Sequence, residues 1–350
     1  MSQKPRVFLG MSGGVDSSVA AYLLKNQNYE VVGCYMKNWS RDLPGMKCPW
    51  AEDLADAKRV ATMLDIDFKV FDFEKEYREK VVDYMLAQYQ KGNTPNPDIM
   101  CNERIKFKLF FDTALKQGAN LIATGHYART DGKNLLRAAD ENKDQTYFLY
   151  RLSDASLRKT LFPIGDMQKS EVKKLAVKAK LPVASKPESM GVCFVGVAGI
   201  REFISEFVDT KPGQIRELET DQVLGAHDGA CFYTLGQRHG LYLTTGLPYY
   251  VVKKDMKKNI VYVSRDLNNS RLWLKSVKLK DVFIRAGQSG PEDLHVRVRH
   301  RAPLVSATFD PEKNTIVFPE PQKSLTPGQS IVFYSGQNHE ICLGGGIIKA

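Results

Sequence analysis

Ser12-Gly13-Gly14-Val15-Asp16-Ser17-Ser18 lies between the apolar run Val7-Phe8-Leu9 and the segment Val19-Ala20-Ala21-Tyr22-Leu23-Leu24. That order reads as strand, glycine-rich loop, helix. The loop amides and the free N–H groups of the helix's first turn form a positive cradle for phosphate. The adjacent glycines let the chain bend back and approach an anion closely. No Gly-Lys-Ser/Thr follows, so the loop is not a Walker A motif, and it does not match GxGxxG. An SGGxDS loop without that lysine suggests a site for a pyrophosphate leaving group, in an enzyme that splits ATP into AMP and pyrophosphate. The alternative is an ordinary strand-to-helix turn with good caps.

Outward from the loop, strand and helix patterns alternate. Glu30 to Met36 and Phe68 to Phe73 read as strands, and Trp50 to Leu64 and Tyr77 to Tyr89 as helices. Arg104 to Leu115 reads as a further helix, and Asn120 to Thr124 as a strand ending at Gly125-His126. This is the pattern of an open parallel sheet, whose ligands sit beyond the carboxyl ends of the strands. Met36, Gly125 and His126 fall at those ends. After about Gly196 the pattern changes. A short helix (Ile200 to Val208) leads to the turn Lys211-Pro212-Gly213, then to short runs at Ala230 to Tyr233, Tyr249 to Lys253 and Ile260 to Val263. From about Ser270 short strands follow one another (Leu272 to Val277, Leu294 to Val298, Ser306 to Phe309, Thr315 to Phe318, Ile331 to Tyr334), which suggests a small β-barrel or sandwich.

The chain has 350 residues, 43% hydrophobic and 26% charged, as a soluble globular protein does. No apolar run approaches a membrane span, and the early first strand leaves no room for a leader, so a cytoplasmic protein is expected. The formal charge of +10 agrees with a polyanionic partner such as nucleic acid. The six cysteines (34, 48, 101, 193, 231 and 342) show no CxxC spacing, against structural zinc and against a disulfide scaffold.

Two cysteines stand out. Pro95 and Pro97 make Gly92 to Asn102 a rigid loop leading into a basic helix with Arg104, Lys106 and Lys108. Cys101 therefore lies near a helix N-terminus beside cations, which favours the thiolate. Asp98 is placed to accept a proton or a hydrogen bond. Equally, Asp98 can be a helix cap and Cys101 a buried filler. Cys193 follows the Pro- and Ser-rich stretch Leu181 to Gly191, either as a reactive thiol or as a core cysteine on a strand. The two can form a transient redox pair across a cleft. Lys143-Asp144-Gln145 can hydrogen-bond base or sugar edges or be a solvated turn. Arg297, Arg299 and Arg301 would share one face of a strand, as a phosphate-binding stripe or as the solvated side of a barrel.

At these residues the chain resembles the tRNA-specific 2-thiouridylases, which sulfurate the wobble uridine of certain tRNAs. The resemblance spans nearly the whole length: Gly10 to Ser17, Met36 to Trp39, Thr94 to Asn102, Ala123 to Tyr127, Lys143 to Gln145, Ser189 to Phe194, Tyr233 to Arg238 and Cys342 to Gly346. The first loop alone marks the wider ATP-pyrophosphatase group, whereas the two cysteine segments together mark the thiouridylases. The chain departs from the family at Lys186-Pro187-Glu188-Ser189, where many members have Lys-Lys-Asp-Ser, and at His300, where relatives often carry tyrosine.

The resemblance implies an α/β catalytic domain over 1–200 with an open parallel, Rossmann-like sheet of the adenine nucleotide alpha hydrolase kind. A small, mostly β central domain over 201–268 and a tRNA-gripping β-barrel over 269–350 would follow. It implies ATP as co-substrate with Mg²⁺, held by Gly10, Met11, Ser12, Gly13, Gly14, Val15, Asp16 and Ser17, with Met36 and Gly125 near adenine and ribose. No metal ligands of the protein's own are assigned. Cys193 would carry a persulfide loaded by an upstream sulfur-donor protein. Cys101 would be the nucleophile that ends in a Cys101–Cys193 disulfide, reopened by a reductant, and Asp98 an acid/base or a contact to the base. Asn96, Pro97, Asp98, His126, Lys143, Asp144, Gln145, Arg299, His300 and Gln329 would contact the tRNA. The reaction implied is ATP-dependent 2-thiolation of the wobble uridine, extruded from the anticodon stack. The rivals are another ATP-pyrophosphatase synthetase, a noncatalytic tRNA-binding protein, and a redox-sensing switch.

Overall fold

A strand that is apolar at every inner position must be covered on both faces. In β1 (Arg6–Gly10), Val7, Phe8 and Leu9 are completely buried. Phe8 enters one apolar cluster, and Val7 and Leu9 enter another on the opposite face of the sheet. Each such side chain contributes about 2 kcal/mol of burial. The computed structural model describes residues 4–42, 44, 48–187, 199–243, 248–286 and 293–350. In chain order it continues with α1 (Val15–Asn26), β2 (Glu30–Lys37), α2 (Trp50–Met63), β3 (Asp67–Asp72), α3 (residues 74–90) and α4 (residues 97–116). Then come β4 (Leu121–Thr124), the hairpin β5 (Arg129–Thr130) and β6 (Leu135–Leu136), β7 (Thr160–Leu161) and α5 (Lys169–Lys178).

The sheet runs β3-β2-β1-β4-β7 and is parallel throughout. Residues of α1, α2 and α5 cover one face, and residues of α3 and α4 the other. The strand order reverses beside β1, so a crevice opens at the carboxyl ends of β1 and β4, where such sheets bind ligands. The sequence placed the loop after β1 and Gly125 after β4 at these ends, and there they are.

Beyond α6 (Ile200–Ser205), a four-stranded sheet is built from β8 (Gly213–Glu217), β9 (Val223–His227), β10 (Tyr250–Asp255) and β11 (Ile260–Ser264), in the order β10-β11-β8-β9. The short run Ala230 to Tyr233 is not a strand but a single tight turn over Ala230–Phe232. Asn259 Oδ1 accepts the Ala230 N–H at 3.0 Å, so the run joins no ladder. Four apolar residues in a row do not distinguish a buried strand from a buried turn.

The last part is β12 (Trp273–Ile284), β13 (Asp293–Arg297), β14 (Val305–Asp310), β15 (Thr315–Lys323), β16 (Ser330–Ser335) and β17 (Ile341–Ile348). They pair in the order β12-β15-β14-β13-β16-β17, and β17 returns to β12, closing a six-stranded barrel. β17 was not legible as a strand because of Gly344-Gly345-Gly346. A Cβ on Gly345 would lie 2.4 Å from Ile331 O, so these glycines admit the close approach that closure needs. β17 also pairs with β6, Ile341 opposite Leu136 and Cys342 opposite Leu135, which splices the first domain's hairpin onto the barrel.

The expected Arg297–Arg299–Arg301 stripe does not form. β13 ends at Arg297, and Arg301 has φ +63°, so the three do not share a strand face. Arg297 is buried and donates from Nη1 to Asp144 Oδ2 at 2.7 Å, tying the barrel to the first domain. Among the described residues, no helix is long and apolar enough to cross a membrane.

Candidate active site

The loop after β1 is braced by hydroxyls. Met11 N–H donates to Cys34 O at 2.8 Å, keeping the first loop residue on β2. Ser17 Oγ accepts from Ser12 N–H at 3.2 Å and donates to Gly14 O at 3.2 Å, and Ser18 Oγ donates to the same carbonyl at 2.8 Å. These bonds satisfy a carbonyl and shape the turn. The N-cap of α1 is Gly14, and no side chain caps the first turn. Its amides are therefore left to an anion. Gly13 has φ +75°, and a Cβ there would sit 2.3 Å from Asp53 O, so this bend against α2 requires glycine.

Gly125 closes the crevice from β4. A Cβ on it would lie 2.7 Å from Ser17 N and 2.8 Å from Ser17 Cα. Gly125→Ala therefore pushes the first turn of α1 away from β4. We expect a loss of about 2 kcal/mol of stability, read as a lower melting temperature; an unchanged melting curve would mean that the loop yields without cost. From β2, Met36 lies across the start of the loop, its Cε 3.0 Å from where a Gly10 Cβ would be.

One cavity of about 470 Å³ joins these parts. Of the site residues expected from the sequence, Gly10, Met11, Ser12, Gly14, Val15, Asp16, Ser17, Met36, Asp98, Cys101, Gly125, His126, Lys143, Gln145 and His300 line it. Asn96, Pro97, Asp144, Arg299, Gln329 and Gly13 are not among its lining residues. Cys193 lies outside the described residues.

Asp98 and Cys101 reach the cavity by a route the sequence reading missed in part. Residues 92–102 are not all loop: α4 begins at Pro97. Proline is tolerated at the first helical position, where its missing N–H has no partner anyway. Asn96, not Asp98, is the cap, accepting from Asp98 N–H at 3.1 Å and Ile99 N–H at 3.4 Å. Cys101 thus sits in the helix, in the second turn, 5% exposed. Over Cys101–Phe110 the backbone bonds reach five residues back rather than four. Burial raises the Asp98 carboxyl above its ordinary value, and the charge of Lys106 opposes the shift. Burial, reinforced by Lys106, holds His126 well below the usual histidine range, so its ring is neutral. His126 Nδ1 is 2.8 Å from Thr124 Oγ1.

Among the described cysteines only Cys48 and Cys101 line the cavity. Burial raises the thiols of Cys34, Cys48 and Cys231, and pushes Cys342 up to about 12. These four are poor nucleophiles near neutrality.

Four cations line the same space: Lys106, Lys143, Lys169 and Arg301, against the carboxyls of Asp16 and Asp98. Lys169 opens α5 and donates from Nζ to Asp16 Oδ1 at 2.6 Å, while Tyr127 OH donates to the same oxygen at 3.0 Å. The sequence reading missed Lys169, because 153 positions separate it from Asp16.

Several of the expected tRNA contacts also make bonds or ring contacts within the fold. Asp144 is buried and accepts from Arg297, from Thr146 Oγ1 at 2.9 Å and from Ala138 N–H at 3.2 Å. Gln145 Oε1 accepts Tyr127 N–H at 2.8 Å. His300 packs 4.4 Å from the Phe148 ring, and burial pushes it down to about 4. Gln329 Nε2 donates to Thr94 O at 2.7 Å. Of the residues on either side of 188–198, Pro187 is at the cavity wall and Phe203 packs against a residue of that wall. Beside Pro187, Lys186 Nζ donates to Asp53 and Asp56 at 2.7 and 2.5 Å. On the other side Phe203 packs 5.6 Å from Trp39, itself a lining residue.

Three family models match in succession: a tRNA methyl transferase HUP domain over residues 5–197, a tRNA methyl transferase PRC-barrel domain over 201–265, and an aminomethyltransferase beta-barrel domain over 274–348. The chain is 44% identical to the tRNA-specific 2-thiouridylase MnmA 2 of Geobacillus kaustophilus, over 98% of this chain and 94% of that protein. It is 45% identical to the tRNA-specific 2-thiouridylase MnmA of Bacillus licheniformis, over 99% and 96%. Among solved structures it is similar to a 4-thiouridine synthetase–RNA complex with bound ATP, at 16% identity and a TM-score of 0.37, over 58% of this chain and 50% of that one.

Proposed function

The chain belongs to the tRNA-specific 2-thiouridylase family, and from that premise we propose that it uses ATP to replace O2 of the tRNA wobble uridine by sulfur. The observation that carries this reading is one cavity lined both by the Gly10–Ser17 turn and by Asp98 with Cys101. We take residues 1–200 as the catalytic domain, 201–268 as the central domain and 269–350 as the tRNA-gripping barrel.

A ring carbonyl oxygen does not leave unaided. Attack of O2 on the α-phosphorus of ATP forms an O–P bond and breaks the bond to the β-phosphate, releasing pyrophosphate. The Gly10–Ser17 turn and the α1 amides stabilise charge on the departing phosphates. Mg²⁺ is held chiefly by phosphate oxygens and would neutralise their charge when bound; Asp16, the carboxylate on the loop, is engaged instead by Lys169 and Tyr127. As O2 is adenylylated, the uridine N3 proton has to leave, and Asp98 is the base that would take it.

Sulfur then arrives as a persulfide on Cys193. Its terminal sulfur adds at C2, and AMP leaves with the original oxygen. Cys101 attacks the Cys193 sulfur, which frees the C2 sulfur as the thiocarbonyl and leaves a Cys101–Cys193 disulfide. A donor protein reloads Cys193 and a reductant reopens the disulfide. Cys193 is six residues beyond Pro187, so at most about 20 Å of extended chain separates it from a residue that lines the cavity.

The sign of the pH dependence follows from Asp98. Its burial raises the value at which it ionises. A base works only when ionised, so turnover rises with pH through that raised value and levels above it. Asp98→Asn is expected to lower kcat by about 10² and to remove this limb from the profile; a limb that persists belongs to another group. The reading itself is tested by incubating the protein with ATP, a sulfur source and unmodified tRNA, then analysing the nucleosides by mass spectrometry. 2-Thiouridine is expected. A methylated uridine, or no modified base, would overturn it.

A further inference from the structure

The motif Tyr233 to Arg238 has no place in the cavity, yet the structure ties it to the helix that carries Asp98 and Cys101. Between α3 and α4 the chain passes through residues 91–96, and the two other domains bond its backbone. Lys254 on β10 donates from Nζ to Gly92 O and to Tyr233 O, both at 2.6 Å. Thr94 N–H donates to Pro327 O at 2.8 Å, and Gln329 Nε2 donates to Thr94 O at 2.7 Å. Thr94 Oγ1 lies 3.1 Å from Thr234 Oγ1. Two residues later Asn96 caps α4.

Packing alone does not hold this linker. A second cavity, of about 680 Å³, opens against Gly92, Asn93, Lys254, Met256 and Pro327. The linker is close-packed on one side, where a Cβ on Gly92 would meet Met256 Cγ at 2.7 Å and one on Gly328 would meet Thr94 N at 2.9 Å, while on the side of the cavity the hydrogen bonds hold it. A largely buried lysine is costly unless its donors are met, and two carbonyls from different domains meet them here. Burial pushes Lys254 down to about 8, in line with that desolvation.

We propose that Lys254, Thr234 and Gln329 are positioning residues: they fix the 91–96 linker, and through it the placement of α4, so that Asp98 and Cys101 face the phosphate loop. The inference rests on the thiolation reading for its catalytic consequence, though not for the structural one. None of the three lines the cavity that holds Asp98 and Cys101.

The test uses the full chain with Lys254→Met, the near-isosteric Thr234→Val, and Lys254→Gln, which keeps two donor hydrogens. Thiolation of tRNA is followed with ATP titrated, and amide hydrogen exchange is read over 92–105 and over the loop at 10–20. Lys254→Met is expected to lower kcat about tenfold with KM for ATP within about twofold. Exchange over 92–105 rises about tenfold while the loop stays as in wild type. Thr234→Val moves the same readouts in the same direction by less, and Lys254→Gln recovers part of kcat. Unchanged exchange over 92–105 overturns the proposal. So does an equal rise at both segments, which would make Lys254 a general stability residue. Wild-type protein that thiolates no tRNA sinks the thiolation reading instead, and the exchange pattern still decides whether Lys254 holds the linker.

Discussion

Cys101→Ser eliminates thiolated tRNA, by at least ~10³-fold, while pyrophosphate is still released from ATP in the presence of tRNA. In the proposed reaction the two half-reactions draw on different residues of one cavity. In that proposal the loop residues and Asp98 serve adenylation, and the bonds that brace the turn run among Ser12, Gly14, Ser17 and Ser18, so removing the Cys101 thiol leaves the turn intact. Serine fits the volume of a 5% exposed cysteine, so the fold survives. It cannot resolve the persulfide adduct, because an alkoxide at neutral pH is far scarcer and less sulfur-seeking than a thiolate. Separate assays of pyrophosphate and of 2-thiouridine read the split. An amidating synthetase of the same loop class would form its product unhindered in this variant. A redox switch would lose its disulfide and keep whatever activity it has.

Where sequence reading succeeded, the signal was local. The run Val7 to Leu24 holds strand, turn and helix within 18 consecutive positions, and the glycines announce the bend. Asp98 and Cys101 were visible because three residues separate them, one helical turn. Their helix was misread at its start, because Pro97 was taken to forbid what it permits at a first position. Contacts that depend on distant partners were beyond reach. Arg297 looked like a surface charge until Asp144, 153 positions away, gave it a buried partner. β17 was not read as a strand because triple glycine weakens a strand pattern, and only the barrel's closure shows why it is needed. Cys193 was singled out with Cys101, and it lies outside the described residues.

Lys169→Met is expected to lower kcat/KM for ATP by about 10³, with the larger share in kcat. The loop has no lysine of its own, and a triphosphate with its leaving pyrophosphate needs cations. Lys169 reaches the loop from the start of α5, with Nζ 2.6 Å from Asp16 Oδ1 on the cavity wall. Without it Asp16 keeps only the Tyr127 hydroxyl, and an uncompensated carboxylate faces the incoming phosphates. Like charges at that range repel in ground state and transition state alike, and the repulsion grows as charge moves onto the departing pyrophosphate. That growth is why kcat suffers more than KM. Lys169→Arg keeps the charge but not the compact ammonium, so it should recover only part of the rate. The double variant Lys169→Met, Asp16→Asn decides between two roles. If Lys169 serves only to silence Asp16, removing both restores most of the activity; if it also supplies charge to the phosphates, the double variant stays as slow as the single one. We expect the second outcome, because the ammonium lines the cavity itself and does not merely stand behind Asp16.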